Sequence, residues 1–179
     1  MINRETFFAK LRVALFDKFT QLQVDSINAI IDQIETQNVT DKRQQAYIFA
    51  TAYHEAYNWR TKERIVPITE AGSQIYLMLK PYYPYIGRGF VQLTWDYNYK
   101  KYSKIMGIDF MANPELLLEI KNSAFILVHG MVNGVFTGKK LSDYIGDKCN
   151  FVGARRIING TDKASLIASH ANAFLTALS

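Results

Sequence analysis

After Thr20, the apolar residues Val24, Ile27, Ile30, Ile31 and Ile34 recur at steps of three and four. That period lines them along one face of an α-helix, and Thr20 with Gln23 forms a capping box at its start. Upstream, Phe7, Phe8, Leu11 and Leu15 repeat the pattern. Two amphipathic helices are therefore expected at the start of the chain. A third is expected to begin at Thr40 or Asp41, either of which can cap it, and to run through AYIFATAYHEAYN with Phe49, Ala52, Tyr53 and Ala56 as its buried stripe. Helical pattern returns at NYKKYSKIMG, and again at Asn113-Pro114-Glu115, where Asn caps and Pro takes the first helical position. It continues over residues 121–135 and 162–178, the last stretch placing Ile167, Ala171, Phe174, Leu175 and Leu178 together.

Residues 60–89 break this rhythm. Three of the four prolines (Pro67, Pro81 and Pro84) fall there, with Gly72, Gly87 and Gly89, although SQIYLMLK can hold a short helix. The expected fold is mainly α, with a loop-rich middle that forms the rim of a site and at most a short β-hairpin near residue 90.

With 179 residues, 49% of them hydrophobic, the chain can bury one full core, so a single domain over 1–179 is expected, helices 4–35 packing on a core of 41–179. The net charge of +5 is spread among acidic residues with no basic run, which favours an anionic polymer over nucleic acid as a partner. A lone Cys149 allows no intramolecular disulfide. The opening MINRETFFAKLRVALFDKF interrupts its apolar residues with charge, unlike a secretory signal peptide, and no stretch reaches the roughly 18 apolar residues of a membrane span. A cytoplasmic start, without membrane insertion, is the expectation.

Several side chains suit sugar chemistry. Glu55 falls near the C-terminal end of the third helix, where the helix dipole and partly apolar surroundings both oppose ionisation, as a general acid requires. An isolated helix glutamate is otherwise an ordinary solvated residue. A second carboxylate is available from Glu63, inside the charged run RTKER, or from Glu70, which follows the apolar segment VPI; Glu70 is preferred because that segment can hold it against the core. His54, His129 and His170 are too far apart for a zinc site, and the Gly-Arg-Gly turn lacks the length and the Lys-Ser/Thr ending of a phosphate loop, so no metal or cofactor is expected. If residues 90–94 are extended, Gln92 and Thr94 share a face while Val91 and Leu93 turn to the core. With the rings of residues 81–99, such a row suits a sugar polymer, whose hydroxyls need hydrogen bonds and whose ring faces stack on aromatics. Core packing is the alternative for Trp95, Tyr97 and Tyr99.

In order, YHEAYN, PITEAG, YIGRGFVQLTWDYNY and GARRIING resemble the family 19 glycoside hydrolases, most closely their phage-encoded endolysin branch. FFAKLRVALF, FTGKKLSDYI and NGTDKASLIASHANAF extend the likeness over most of the chain. The resemblance implies a lysozyme-like helical fold with a substrate cleft, and inverting hydrolysis of β-1,4 links between N-acetylated sugars. It implies Glu55, in the His54-Glu55 motif, as proton donor, and a second acid that activates a water, the two carboxyls standing roughly 6.5–9.5 Å apart. Glu63 fits the shorter spacing of several endolysins and Glu70 the P-I-x-E context. Thr94 matches the residue that helps hold the water. Gln92, Tyr97, Asn98 and Asn159 match substrate-side positions, with His54 and Arg88 beside them, Arg88 alternatively bracing its loop. The sequence departs from many relatives after Glu55, where Ala-Tyr-Asn replaces Thr or Ser and glycines. The implied function is that of a monomeric endolysin that cleaves the glycan strands of peptidoglycan as a muramidase, held in the host bacterial cytoplasm until a holin gives it access to the cell wall, with no separate wall-binding domain. A chitinase acting on poly-N-acetylglucosamine is the alternative enzyme, and a non-catalytic glycan-binding protein the alternative class.

Overall fold

The computed structural model describes residues 1–179 and is mainly helical. Helix α1 spans Arg4–Ala14, capped by the Asn3 side chain, which accepts from the Thr6 amide. Helix α2 spans Gln21–Thr36 and carries the reciprocal Thr20–Gln23 capping box. Helix α3 spans Lys42–Glu55, and Asp41 is the cap, accepting from the Arg43 amide.

Burial on α3 exceeds the expected stripe. Every residue from Gln45 to Ala52 is buried, while Tyr53 is only half-buried. The reason is that α3 is wedged between α8 (Ala164–Leu178) and α6 (Ile120–Asn133), with α1 covering α8 and α2 covering α6. Its polar interior groups turn back on the backbone: Gln45 Nε2 donates to the Val39 carbonyl at 2.8 Å and Thr51 Oγ1 to that of Tyr47 at 2.9 Å. The connected core runs from Phe7 to Leu178, so helices from both chain ends share it.

The middle of the chain holds two ladders of two residues each. Strand β1 (Tyr57–Asn58) pairs antiparallel with β2 (Glu63–Arg64), and β3 (Ile68–Thr69) pairs antiparallel with β4 (Arg88–Gly89). Between β3 and β4 lies the short helix α4, Gln74–Met78. The hairpin expected near residue 90 is a tight turn closed by an Arg88–Leu93 bridge. Residues 90–94 are thus not extended: Gln92 adopts φ 53°, and Phe90 and Val91 are both buried. Gly89 (φ 83°) is required there, since a Cβ would stand 2.7 Å from Ser123 Oγ, the atom that accepts from the Phe90 amide.

Helix α5 (Asp96–Met106) follows, ended by left-handed Gly107. The helix expected from Asn113 is a five-residue 3₁₀ turn, Pro114–Leu118; the Asn113 side chain does not cap it and reaches back to the Asp109 carbonyl. The short helix α7 (Leu141–Tyr144) and a 3₁₀ turn at Gly153–Ile157, neither foreseen, connect α6 to α8. No helix is long and apolar enough to cross a membrane.

Two histidines lie partly buried against this core. His129 stacks on Phe125, its Nδ1 buried without a partner, and burial holds its pKa below the usual 6.5. His170, against Tyr53, is lowered by burial and by the charges of Arg64 and His54. Below pH 6.5 the unfolded chain therefore binds protons that the folded chain refuses, so stability is full above that pH and falls as pH drops through it. Urea midpoints at pH 7.5 and 5 should show this loss, and His129→Leu should shrink it; an undiminished loss in that variant would mean burial of His129 is not a cause.

Candidate active site

Because α3 is clamped on all sides, its C-terminal residue Glu55 leaves the core at a fixed point. Its carboxylate meets the guanidinium of Arg155, whose side chain is only 4% exposed against 18% for Glu55. This partner was not anticipated. The helix dipole and apolar neighbours expected around Glu55 are joined by a buried cation. The one signal in the sequence was a charged residue inside the apolar run FVGARRII. His54 is half-buried, with burial lowering its pKa and the Glu55 charge acting in the other direction. Just beyond, Arg64 fixes the chain where α3 ends: it donates to the Tyr53 carbonyl at 2.8 Å, and its guanidinium lies 4.5 Å from the Tyr53 ring centre and 4.4 Å from that of Tyr57.

The two alternative second carboxylates fall on different surfaces. Glu70, directly after β3, lines a cleft of about 340 Å³ together with Tyr57, Asn58, Trp59, Ile68 and Gly72. One of its oxygens accepts from Tyr82 Oη at 2.7 Å, the other from the Gly87 amide at 3.0 Å. The Glu70 amide donates in turn to the Gly87 carbonyl, at 2.7 Å. Burial, then the Glu70 carboxylate, push the Tyr82 phenol up to about 12. Glu63 instead faces a separate hollow with Phe16, Gln23 and Tyr53, accepting from Thr20 Oγ1 at 2.6 Å. Hydrogen bonds from Thr20 and Thr61 hold its pKa below the ordinary value.

The Gly-Arg-Gly string is cross-linked to this cleft. Gln92 Nε2 donates to the carbonyls of Ile68 (3.0 Å) and Gly89 (3.1 Å), so that the left-handed turn is tied to β3 two residues before Glu70. Thr94 Oγ1 donates to the Gln92 carbonyl and Asn98 Nδ2 to the Thr94 carbonyl, each at 2.8 Å. Three rings lead outward from Glu70. Tyr82 meets Trp95 edge-on at 5.2 Å, and Trp95 stacks with Tyr97 at 6.1 Å. Tyr97 is 56% exposed and so is not core, whereas Tyr99 is fully buried. Asn159 lies one turn beyond Arg155, its amide bonded to the Arg155 carbonyl and its Oδ1 accepting from Gly160.

Arg88, open in sequence between substrate binding and bracing its loop through a carboxylate, has its guanidinium directed into the protein. Its donors reach Glu115 Oε1 (2.9 and 3.1 Å), the Pro84 carbonyl (3.2 Å) and Tyr99 Oη (2.8 Å), and its side chain is 9% exposed. It braces the loop over residues 84–99, because carbonyls of an irregular segment need donors once water is excluded.

No protein-family model matches the chain. Parts of it are similar to plant endochitinases. It is 33% identical over 96 residues to endochitinase 1 of Theobroma cacao, covering 45% of this chain and 29% of that protein. Over 93 residues it is 42% identical to endochitinase 2 of Gossypium hirsutum, covering 44% and 31%. An endochitinase of Arabidopsis thaliana matches at 30% over 84 residues, covering 47% and 30%. The chain thus spans less than a third of the length of these relatives. Among solved structures, chitinase C from Streptomyces griseus superposes with a TM-score of 0.62 at 20% identity, covering 99% of this chain and 76% of that one. The chain has that chitinase's fold. A mutant of chitinase C gives 0.58, at 98% and 74% coverage. The mainly helical, lysozyme-like architecture expected from sequence is therefore present, with the Glu70 cleft opening in its loop-rich middle.

Removing the loop brace should be costly. Arg88→Met leaves the buried Tyr99 hydroxyl and the Pro84 carbonyl without their donor and should cost about 3 kcal/mol in urea unfolding, whereas Glu115→Gln, at an exposed partner, should cost less than about 1 kcal/mol. Equal effects of the two variants would contradict the bracing role.

Proposed function

We propose that the protein is a family 19-type glycoside hydrolase that cleaves β-1,4 links of a poly-N-acetylglucosamine chain, the chemistry of a chitinase. The observation that carries this reading is the placing of two glutamates on separate rigid supports: Glu55 at the end of the clamped helix α3, and Glu70 hydrogen-bonded into the wall of the cleft. Glu55 gives its proton to the glycosidic oxygen as the C1–O bond breaks. Glu70 takes a proton from the water that attacks C1 on the opposite face, for which each carboxylate oxygen keeps a lone pair beyond its bond to Tyr82 or Gly87. Thr94 helps to hold that water, Tyr97 offers a face for a sugar ring, and Gln92, Asn98 and Asn159 supply polar contacts along the chain. His54 flanks the acid. Glu70 is favoured over Glu63 because Glu63 faces the α1–α2 side and is engaged by Thr20.

Chitin takes precedence over peptidoglycan because the similar proteins are endochitinases. The peptidoglycan reading rests on the likeness to the endolysin branch and on the net charge of +5, which suits an anionic wall. On that reading the enzyme is a muramidase that reaches the wall through a holin. The two substrates differ at the lactyl-peptide arm of the muramic acid.

Purified protein should be incubated separately with an N-acetylglucosamine hexamer and with peptidoglycan sacculi, and new reducing ends identified by mass spectrometry. Hexamer cleavage is expected, falling by about 10²-fold or more in Glu55→Gln and in Glu70→Gln and by less than about threefold in Glu63→Gln. Loss in Glu63→Gln with retention in Glu70→Gln would reverse the assignment. Muramic-acid ends without hexamer cleavage would replace chitin by peptidoglycan, and wall binding without any release would leave only a glycan-binding protein.

A further inference from the structure

Glu70 accepts from a single side chain, the Tyr82 hydroxyl, at 2.7 Å on Oε1, while Oε2 takes the Gly87 amide at 3.0 Å. Two donors on two different oxygens fix the plane of a carboxylate; one donor would leave it free to swing. The same phenol closes the loop of residues 70–82, which turns Ile75, Met78 and Leu79 out to water and buries only Leu77. Packing therefore does little to hold Glu70 from that side. The Tyr82 ring is itself held, edge-on to Trp95 at 5.2 Å. Trp95 reaches this position at φ 76°, a left-handed conformation that a bulky residue keeps only where its surroundings compel it, and its amide donates to the Tyr85 carbonyl at 2.9 Å. Burial, and then the bond to Glu70, push the phenol up to about 12, so it remains a donor throughout the range in which carboxylates titrate. The other titratable groups about the pair are Tyr76 and Tyr99, with Tyr57 and Arg60 on the cleft lining. None of them is hydrogen-bonded to Glu70.

We infer that Tyr82 is a positioning residue for Glu70: its hydroxyl fixes the plane in which the carboxylate meets the attacking water and sets the pH at which the base becomes active. This rests on the proposed hydrolysis, in which the water oxygen bonds to C1, the water proton passes to Glu70, and the C1–O bond breaks as Glu55 protonates the leaving oxygen. A hydrogen bond donated to a carboxylate favours its charged form over its neutral one, and the bond is stronger for being charge-assisted. Without the hydroxyl, activity should therefore begin at a higher pH. The effect should fall on turnover more than on binding, since the phenol acts on the sugar only through Glu70.

The test compares wild type, Tyr82→Phe, Glu70→Gln and the Glu70→Gln/Tyr82→Phe double variant on the N-acetylglucosamine hexamer, with kcat/KM followed from about pH 4 to 8 and thermal unfolding of each. Tyr82→Phe keeps the ring against Trp95 and removes only the hydroxyl. Its acidic limb, which follows the base, should move up by about one pH unit, while the alkaline limb, which follows the proton on the acid, stays within about 0.3 unit. At the optimum, kcat should fall about tenfold with KM within about threefold. In the Glu70→Gln background the same change should alter the residual kcat by less than about twofold. A residue that merely braced its loop would lower Tm and leave both limbs in place. If Tyr82→Phe does not fold, 3-fluorotyrosine at position 82, a stronger donor of nearly the same shape, decides by moving the acidic limb down by about 0.3 unit. An acidic limb unmoved in folded Tyr82→Phe, or with fluorotyrosine, overturns the inference while the reading of Glu70 stands, provided that Glu70→Gln is inactive. Wild-type activity in Glu70→Gln, or an inactive wild type, overturns the reading of Glu70 and this inference together.

Discussion

Between Gln45 and Ala52, α3 has no face left to water, so α8 and α6 fix its axis and its last residue emerges at one defined place. A helix confined in this way is a rigid mount, and rigid mounts hold reacting groups more closely than loops do. The packing that stabilises the domain therefore also aims Glu55. The same packing brings the distant 3₁₀ turn at Gly153–Ile157 near enough for Arg155 to reach that carboxylate.

The wall of the cleft that holds Glu70 has little regular structure to rely on. Its two ladders are two residues long, and the lone cysteine provides no disulfide. Polar cross-links take over this task. Glu70 binds the Gly87 amide and Tyr82, Gln92 binds the Ile68 and Gly89 carbonyls, and Arg88 binds Pro84, Tyr99 and Glu115. Each satisfies groups that an irregular backbone would otherwise leave unpaired, and together they explain why so many hydrogen-bonding side chains are gathered around one Gly-Arg-Gly turn. In the proposed reaction Glu70 combines structural and chemical duties, anchoring the turn with one lone pair on each oxygen and keeping the others for water.

Features written in local period and cap chemistry were legible in the sequence. The Thr20–Gln23 box, a cap at Thr40 or Asp41 and helices α5, α6 and α8 follow from spacing alone, and the structure selects Asp41. What depended on distant contacts was not. The expected stripe on α3 became complete burial because α6 and α8 arrive from distant parts of the chain. The pattern puts Gln92 in an extended row, but its bonds to the Ile68 and Gly89 carbonyls belong to a left-handed turn. The flanking VPI segment favours Glu70 over Glu63 only weakly, and the fold separates them by the side of the short ladders each faces. Arg155 was visible only as a charge in an apolar run, since its partner lies 100 residues earlier.

The central claim is that Glu55 protonates a glycosidic oxygen while a water, activated from the far side by Glu70, attacks the anomeric carbon. Proton NMR of the hexamer during its first minutes of cleavage tests this directly, because single displacement at a β-link must release the α-anomer before mutarotation mixes the two. An initial excess of α-anomer is the predicted result. An initial excess of β-anomer would mean retention through a double displacement and would contradict the assigned roles of both glutamates.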